Sequence, residues 1–308
     1  MRFLLANLQT MMDWDDLRIF LQLVRNGKMT TAGKVLGVDD STVGRRVARL
    51  EKALGVPLIE RAGRRTAITE QGEKVAAAAE QIEAVILRKI VGIGEDPKFV
   101  MGRVRVGAPE GLGVGYLAQR LAEISALNEH LETELVALPR AYSLAAREVD
   151  IAITLERPSA GQVIVRKLTD YSLELYGTER YFERRGKPET IEDLTQHTFV
   201  GYIPELLFTE ELNFSKVGHG EIVVPTIRST SVIAQVNAIR SGAAIGVLPR
   251  FLAAAHADLK LLLSNELHLV RSYWIAVHND LWHLHRIRTV LKAITAVARN
   301  DLSLFMRQ

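Results

Sequence analysis

Three arginines, Arg45, Arg46 and Arg49, stand close together behind a pair of hydroxyls, Ser41 and Thr42, with Gly44 between the two groups. A guanidinium can fork onto the N7 and O6 edge of guanine, or grip a phosphate. Hydroxyls and unpaired N–H groups at the start of a helix suit a phosphate. Gly44 removes a side chain from that face and allows close backbone approach. Asp39 and Asp40 precede the hydroxyls and have two readings, as helix caps or as acceptors for a cytosine amino group. A second basic pair, Arg64 and Arg65, follows about twenty residues on. From Arg45 to Arg65 there are seven basic residues and two acids, Glu51 and Glu60. The whole chain carries only +3, so the positive charge is local. That distribution suits a nucleic-acid contact.

The same segment supplies the elements that hold these groups. Val43, Val47, Leu50 and Leu54 recur at i, i+4, i+7 and i+11, the inner face of one helix, and this puts Ser41, Thr42, Gly44, Arg45, Arg46, Arg49 and Lys52 outside. That helix begins at Asp40 or Ser41 and ends at Gly55 and Pro57. Before it, acids at Asp13–Asp16 open a helix running to about Arg25, with Leu17, Phe20, Leu21 and Val24 inward and Asn26-Gly27 as its stop. Thr30 is the candidate cap of the next helix and a candidate DNA contact; Gly37 ends that helix in the turn. After Pro57, Leu58–Arg61 and Thr66–Thr69 form a short hairpin with Arg64 and Arg65 at its tip, placed for phosphates. Helix, tight turn, outward basic helix and basic hairpin match a winged helix-turn-helix whose second helix enters the major groove.

Residues 12–75 resemble the N-terminal domain of the LysR-type transcriptional regulators. The resemblance rests on Met12-Asp-Trp-Asp-Asp-Leu-Arg-Ile-Phe20, Leu54-Gly-Val-Pro-Leu-Ile-Glu-Arg61 and Ile68-Thr69-Glu70-Gln71-Gly72-Glu73. Many members carry Ser-Gln-Pro-Ala-Leu-Ser-Arg at the start of the recognition helix. Here that run is Asp39-Asp40-Ser41-Thr42-Val43-Gly44-Arg45, a departure that concerns the operator sequence and not the fold.

From Glu70 to about Ile93 the chain predicts a helix of roughly 36 Å, with Val75, Ala79, Ile82, Ile86 and Ile93 near heptad spacing. Such a stripe suits pairing with a copy of itself, or docking on its own core. The family resemblance implies the former, a dimerisation helix presenting two recognition helices to a pseudo-palindromic operator. Gly92-Ile-Gly94-Glu-Asp-Pro97 breaks it as a hinge.

Strand and helix signals then alternate. Arg103–Val106, Leu131–Leu138, Asp150–Thr154, Ile222–Ile227 and Trp274–Val277 read as strands. Gly111–Ile124, Val232–Arg240 and Leu284–Ala298 read as helices. The alternation argues for parallel sheets covered by helices, with ligands at strand carboxyl ends near helix N-termini. Residues 103–308 resemble the family's effector domain, two lobes built like type 2 periplasmic binding proteins; Gly242-Ala-Ala-Ile-Gly-Val-Leu-Pro249 is a further match. The class expected is therefore α/β: a winged helix-turn-helix at 12–69 after an extension at 1–11, a linker helix and hinge at 70–97, and an effector domain at 98–308. Its first lobe would comprise about 98–170 and 273–308, its second about 171–272, with the last helix closing the first lobe. Mapped onto the inter-lobe cleft, the effector residues expected are Pro109, Glu110, Gly111, Thr154, Tyr202, Ser229, Thr230 and Ser231. Glu110 would repel a second anion, which favours an effector with a hydroxyl or amine over a simple dicarboxylate.

Other chemistry is poorly represented. Gly111, Gly113 and Gly115 with Glu134 approach a dinucleotide-binding turn, but in the pattern G-x-G-x-G. His278, His283 and His285 surround Trp282 without the spacing of a zinc set, so no metal and no cofactor is expected. No nucleophile elbow or carboxylate pair points to catalysis. There are no cysteines, which excludes disulfides and thiolate sites. No apolar run reaches the roughly 18 residues that a bilayer requires, and no membrane partner is expected; residues 1–11 are too weakly apolar for a secretory signal, so the location expected is cytoplasmic. The expected partners are double-stranded DNA, a small-molecule effector and a second copy, as homodimer or homotetramer, with RNA polymerase a further candidate. The competing class is a two-lobed small-molecule binder or enzyme with a helical dimerisation module. A dimerisation module needs no basic stripe.

Overall fold

The computed structural model describes residues 13–62, 65–89, 100–138, 148–159, 162–212, 216–217, 221–222 and 224–307. Residues 1–11, the wing-tip Arg64 and the hinge at 92–97 lie outside them. The described residues fall into two compact units, one ending before Asp96 and one from there on.

In the first unit, α1 (Trp14–Asn26) is capped by Asp13, whose carboxylate accepts the Asp15 amide at 3.0 Å, and stops at Gly27 with φ 68°. α2 (Met29–Leu36) starts two residues earlier than a Thr30 cap requires: Lys28 is its N-cap, with no side-chain cap, and Thr30 lies exposed inside the first turn. α3 (Asp40–Leu54) follows the turn at Gly37 and ends at Gly55, both in the left-handed region. The turn is tight enough that a Cβ on Gly33 would sit 2.6 Å from the Val38 carbonyl oxygen. Phe20, Leu21, Leu23, Val43, Val47, Leu50 and Leu58 close the core, each large side chain contributing about 1.5–3 kcal/mol by leaving water.

The wing pairs β1 (Ile59–Ala62) with β2 (Arg65–Ile68), Ile59 opposite Ile68. Glu51 of α3 fixes its start by accepting the Leu58 and Ile59 amides at 2.7 and 3.1 Å. α4 (Glu70–Lys89) then leaves the wing under a cap from Thr69, whose hydroxyl accepts the Gly72 amide at 3.0 Å and donates to the Pro57 carbonyl at 2.8 Å. Ala76 and Ala79 dock on the domain's own core. Further along the helix Ile82 and Val85 are exposed at 40 % and 54 %. The apolar stripe therefore does two jobs, its N-terminal turns packing on the core and its later turns facing outward.

The second unit is built on a mixed sheet of order β10-β7-β11-β6-β13-β5-β3-β4, with β12 also on β6. β3 (Met101–Ala108) lies parallel to both β4 (His130–Ala137) and β5 (Ile151–Thr154). The long strand β6 (Val163–Thr178) runs antiparallel to β13 (His268–His278), with a register shift between Tyr273 and Trp274. These two strands pass from lobe to lobe in opposite directions, so the sheet is mixed where strand–helix alternation predicts a parallel one. The second lobe adds β7 (Phe199–Gly201), β10 (Ile227–Arg228), β11 (Ile245–Pro249) and β12 (Leu259–Leu262). The expected strand over Ile222–Ile227 is instead two short pieces: β9 (Glu221–Ile222), which pairs β8 (Lys216–Val217), and β10. Pro225, which has no N–H for a ladder, stands between them.

Helices cover the sheet. Glu110–Ala126 runs as α5 (Glu110–Leu112), a π-helical turn (Gly113–Leu117) and α6 (Ala118–Ala126). α7 (Glu179–Arg185), α8 (Val232–Arg240) and α9 (Arg250–Ala253) belong to the second lobe, and α10 (His285–Asn300) returns against β3 and α6 of the first. The terminal turn α11 (Leu302–Phe305) buries Phe305 against Tyr116 and Phe251. Asp301 clasps this end: it accepts from Tyr116 at 2.9 Å and Arg120 at 2.8 Å. Burial alone would raise the Asp301 carboxyl, but the Arg120 and Tyr116 hydrogen bonds hold it below its ordinary 3.8. A carboxyl depressed by folding contributes stability above its unfolded pKa that is lost as pH falls through the folded one. Stability of this unit is therefore expected to drop below about pH 4, and Asp301→Asn should flatten that limb of a pH-dependent melting curve.

Among the described residues no helix is long and apolar enough to cross a membrane.

Candidate functional site

On α3, the basic residues separate into two environments. Arg45 is exposed and reaches Thr42 Oγ1 at 3.2 Å, one turn back on its own helix. Arg46 and Arg49 turn toward the first turn of α1. Arg46 Nη1 donates to Asp16 Oδ1 at 3.1 Å and lies 3.5 Å from Asp13. Arg49 Nη2 donates to Asp16 Oδ1 at 2.7 Å and Asp13 Oδ2 at 2.8 Å, while its Nε contacts the other Asp16 oxygen. The Asp16 side chain is 3 % exposed, against 31 % and 51 % for the arginines. Their hydrogen-bonding edges are thus drawn back to α1 by a buried carboxylate. The bond to Asp16 raises the Arg49 guanidinium above its ordinary value, and the Asp15 amide leads the groups holding Asp13 below the usual carboxylate range.

The remaining DNA-facing candidates, Thr30, Ser41, Thr42 and Gly44, are described and at least partly accessible. Asp40 uses its carboxylate on the Ser41 amide at 2.8 Å, a local cap at the helix start. Arg65 is placed by its backbone, opposite Ala62.

In the second unit a cavity of about 450 Å³ opens between the lobes. It gathers five of the eight expected residues: Pro109, Glu110, Gly111, Tyr202 and Thr230. Thr154 lines an adjoining cavity of about 670 Å³ with Glu156 and Arg157, its hydroxyl turned back to the Glu156 carbonyl at 2.7 Å. Ser231 caps α8, accepting the Ala234 amide at 3.1 Å, and donates to Glu110 Oε1 at 2.8 Å. Ser229 lines neither cavity; its hydroxyl accepts the Ser231 amide at 3.1 Å and so shapes the loop into α8.

The structure adds Tyr171 and Tyr273, diagonal neighbours on the two crossing strands with ring centroids stacked 4.2 Å apart, with Leu155, Leu173 and Phe208. Burial pushes the Tyr202 and Tyr273 phenols well up, so both are neutral donors at physiological pH. Sequence reading passed over these residues because strand-borne tyrosines in a crossing pair look like core. Their place on β6 and β13, the two strands that pass from lobe to lobe, is what sets them in the cleft.

The glycines of the G-x-G-x-G segment serve packing. A Cβ on Gly113 would meet Ala137 Cβ at 2.5 Å, and Gly111 and Gly115 face Val232 and Leu252 at 2.7 and 2.1 Å. Glu134 is engaged by Arg105 and Arg103. His278 pairs with Asp280 at 3.4 Å.

Two family models span this architecture. Residues 14–73 match the bacterial regulatory helix-turn-helix protein, lysR family, and residues 99–299 match the LysR substrate binding domain. The chain belongs to the LysR family of transcriptional regulators. It is 26 % identical over 245 residues to the iron-regulated virulence regulatory protein IrgB of Vibrio cholerae, covering 79 % of this chain and 82 % of that one. In structure it resembles CrgA of Neisseria meningitidis, a LysR-type transcriptional regulator, with a TM-score of 0.58 and 23 % identity over 93 % of this chain and 99 % of the other. It also resembles full-length LysG of Corynebacterium glutamicum, at a TM-score of 0.60 and 18 % identity over 94 % and 99 %. This LysR-type regulator thus joins a helix-turn-helix DNA-binding domain to a two-lobed effector-binding domain.

Proposed function

We propose that the chain acts as a homodimer on a pseudo-palindromic operator, with Arg45 as the principal base reader. The single observation behind this is the division of labour on α3: Arg45 is exposed beside Thr42, whereas Arg46 and Arg49 are held by Asp16 and Asp13. In this reading Arg46 and Arg49 set the presentation of α3 and add positive potential for the phosphates. Thr30, Ser41 and Thr42 contact the backbone at the two helix starts, and Gly44 lets α3 approach. Arg64 and Arg65 of the wing grip flanking phosphates. The outward Ile82 and Val85 of α4, half-buried Val75 and Ile86 beside them, form the pairing face of the dimer; a tetramer would need a further interface in the effector domain.

The effector occupies the inter-lobe cavity against Pro109, Glu110, Gly111, Tyr202 and Thr230, with Tyr171 and Tyr273 as added phenols and Thr154 in the adjoining space. Among the described residues Glu110 is the one charged residue of the 450 Å³ lining, which favours an apolar body bearing a hydroxyl or amine. LysG, solved with its effector Arg bound, is a relative whose ligand carries such a cationic group. Effector binding shifts the balance of lobe positions, and the linker helices pass the change to the DNA-reading heads, altering operator bending and contact with RNA polymerase. The chain has no catalytic role in this reading; it acts in the cytoplasm, without a metal or cofactor.

The test is selection of bound genomic fragments at physiological salt. An inverted-repeat site supports the reading, and uniform, salt-sensitive binding overturns the sequence-specific part. On the selected site Arg45→Ala should cost about 1–3 kcal/mol and relax base preference at one position. Arg64→Ala should weaken all sequences alike and flatten the salt dependence by about one unit of slope.

A further inference from the structure

We propose that Glu110 is a tethered stand-in for an anionic ligand, latching the two lobes together in the absence of effector. The idea rests on the reading of the cleft as the effector site and goes beyond it by assigning an occupant to one subsite. The Glu110 carboxylate belongs to the first lobe, at the start of α5. Both its oxygens are used on the second lobe: Ser231 Oγ donates to Oε1 at 2.8 Å and the Val232 amide donates to Oε2 at 3.0 Å. Ser231 is the N-cap of the nine-residue helix α8. The carboxylate therefore sits where free amides and the helix dipole favour a negative charge.

A second, independent feature holds the same seam. Gly111 and Gly115, one turn apart, leave no room for side chains against Val232 and Leu252 of the second lobe, where added Cβ atoms would lie at 2.7 and 2.1 Å. Lobe contact at this edge is thus close-packed and charge-bridged. Beyond the latch the lining is phenolic and apolar, with Tyr171, Tyr202, Tyr273, Phe208 and Leu155. Two consequences follow. A ligand whose only anchor is a carboxylate finds its position at α8 taken and must displace Glu110. A neutral or cationic ligand can enter the phenol-lined space with the latch intact, and its effect is then read against lobes already joined.

Chemical rescue tests the latch. The full-length chain, Glu110→Ala, and Glu110→Ala combined with Ser231→Ala would be melted in rising sodium acetate against matched sodium chloride. Glu110→Ala should melt roughly 4–8 °C lower than the parent, as loss of two charge-assisted hydrogen bonds in a unit of this size implies. Acetate should raise that melting point saturably, leave the parent unmoved, and fail on the double variant, which lacks the Ser231 donor. Gly111→Ala should lower the melting point by wedging Val232 and should not respond to acetate. An unchanged melting point for Glu110→Ala, no rescue by acetate beyond that of matched chloride, or equal rescue of the double variant would each overturn the latch. If Glu110→Ala does not fold, Glu110→Gln carries the test: it loses the negative charge, and an NH2 that cannot accept replaces one of the two accepting oxygens, so it should melt below the parent, and equality overturns the proposal. Operator binding, followed on the same samples, is a separate readout: its loss in the parent would sink the regulator reading while leaving the rescue result intact.

Discussion

Asp16→Ala is expected to destabilise the DNA-binding unit by about 2–3 kcal/mol and, at the same time, to tighten its grip on DNA of any sequence. Asp16 is a buried carboxylate that receives Arg46 and Arg49 across some thirty residues of chain, and it ties α1 to the recognition helix. Removing one partner of such a pair is costly, but both arginines are partly exposed and water screens them once released. This keeps the estimate below the figure for a fully buried pair. The released guanidiniums then face the phosphates. Each new phosphate contact should steepen the logarithmic dependence of affinity on salt by about 0.9, so the slope should rise by about one to two. Thermal melting with hydrogen exchange on α3, and anisotropy titrations across a salt series, measure the two halves. A variant with unchanged stability and unchanged slope would show that Asp16 neither braces α3 nor restrains its arginines.

Gly72→Ala should cost about 3 kcal/mol and detach the linker helix from the DNA-reading head. An added Cβ would lie 2.2 Å from the Leu58 carbonyl oxygen and 2.7 Å from Ile68 Cγ2. Ile68 can rotate; the carbonyl cannot easily, because it accepts the Thr69 amide at 3.1 Å at the base of the wing. Relief requires α4 to lift, breaking the Thr69 cap and straining the Arg25–Glu83 pair, 2.8 Å apart, that joins the end of α1 to α4. The functional signature is selective. Affinity for one half-site should survive near the parent value at low temperature, whereas the gain from a second half-site should fall, since rigid spacing of two heads depends on that joint. Equal losses on single and paired half-sites would refute the role given to Gly72. By contrast, Gly27→Ala meets no atom within 4 Å and pays only for φ 68°, an effect of about 1 kcal/mol.

What could be read without coordinates followed from local periodicity. Val43, Val47, Leu50 and Leu54 declare the inner face of α3 by spacing alone, and Gly37 and Gly55 mark its limits, because left-handed backbone excludes most side chains. The same holds for the short buried strand at Ile151–Thr154 and for α8 after Ser231. Where the reading fell short, the deciding partner was distant in sequence. Thr30 looked like a cap by residue type, yet the chain enters α2 at Met29 and leaves that hydroxyl inside the first turn. The three glycines at 111, 113 and 115, whose G-x-G-x-G spacing already argued against a dinucleotide turn, have a packing role that spacing could not show: their neighbours are Val232, Ala137 and Leu252. The acids at Asp13–Asp16 were legible as cap residues but not as the counter-ions of Arg46 and Arg49.

The sequence by itself determined that this chain carries a helix-turn-helix with an outward basic face, a helix with an apolar stripe, and an α/β effector domain with glycine- and hydroxyl-bearing helix starts. Those features depend on spacing within a few turns, and helix and strand periods make them local. Only the tertiary structure decided which of the arginines are held by the acids of α1, that Tyr171 and Tyr273 meet in the cleft, and that Glu110 fills the N-terminus of α8. Each of these is a contact between residues tens to more than a hundred positions apart, and side-chain chemistry without distance cannot say which of several possible partners a charged group will find.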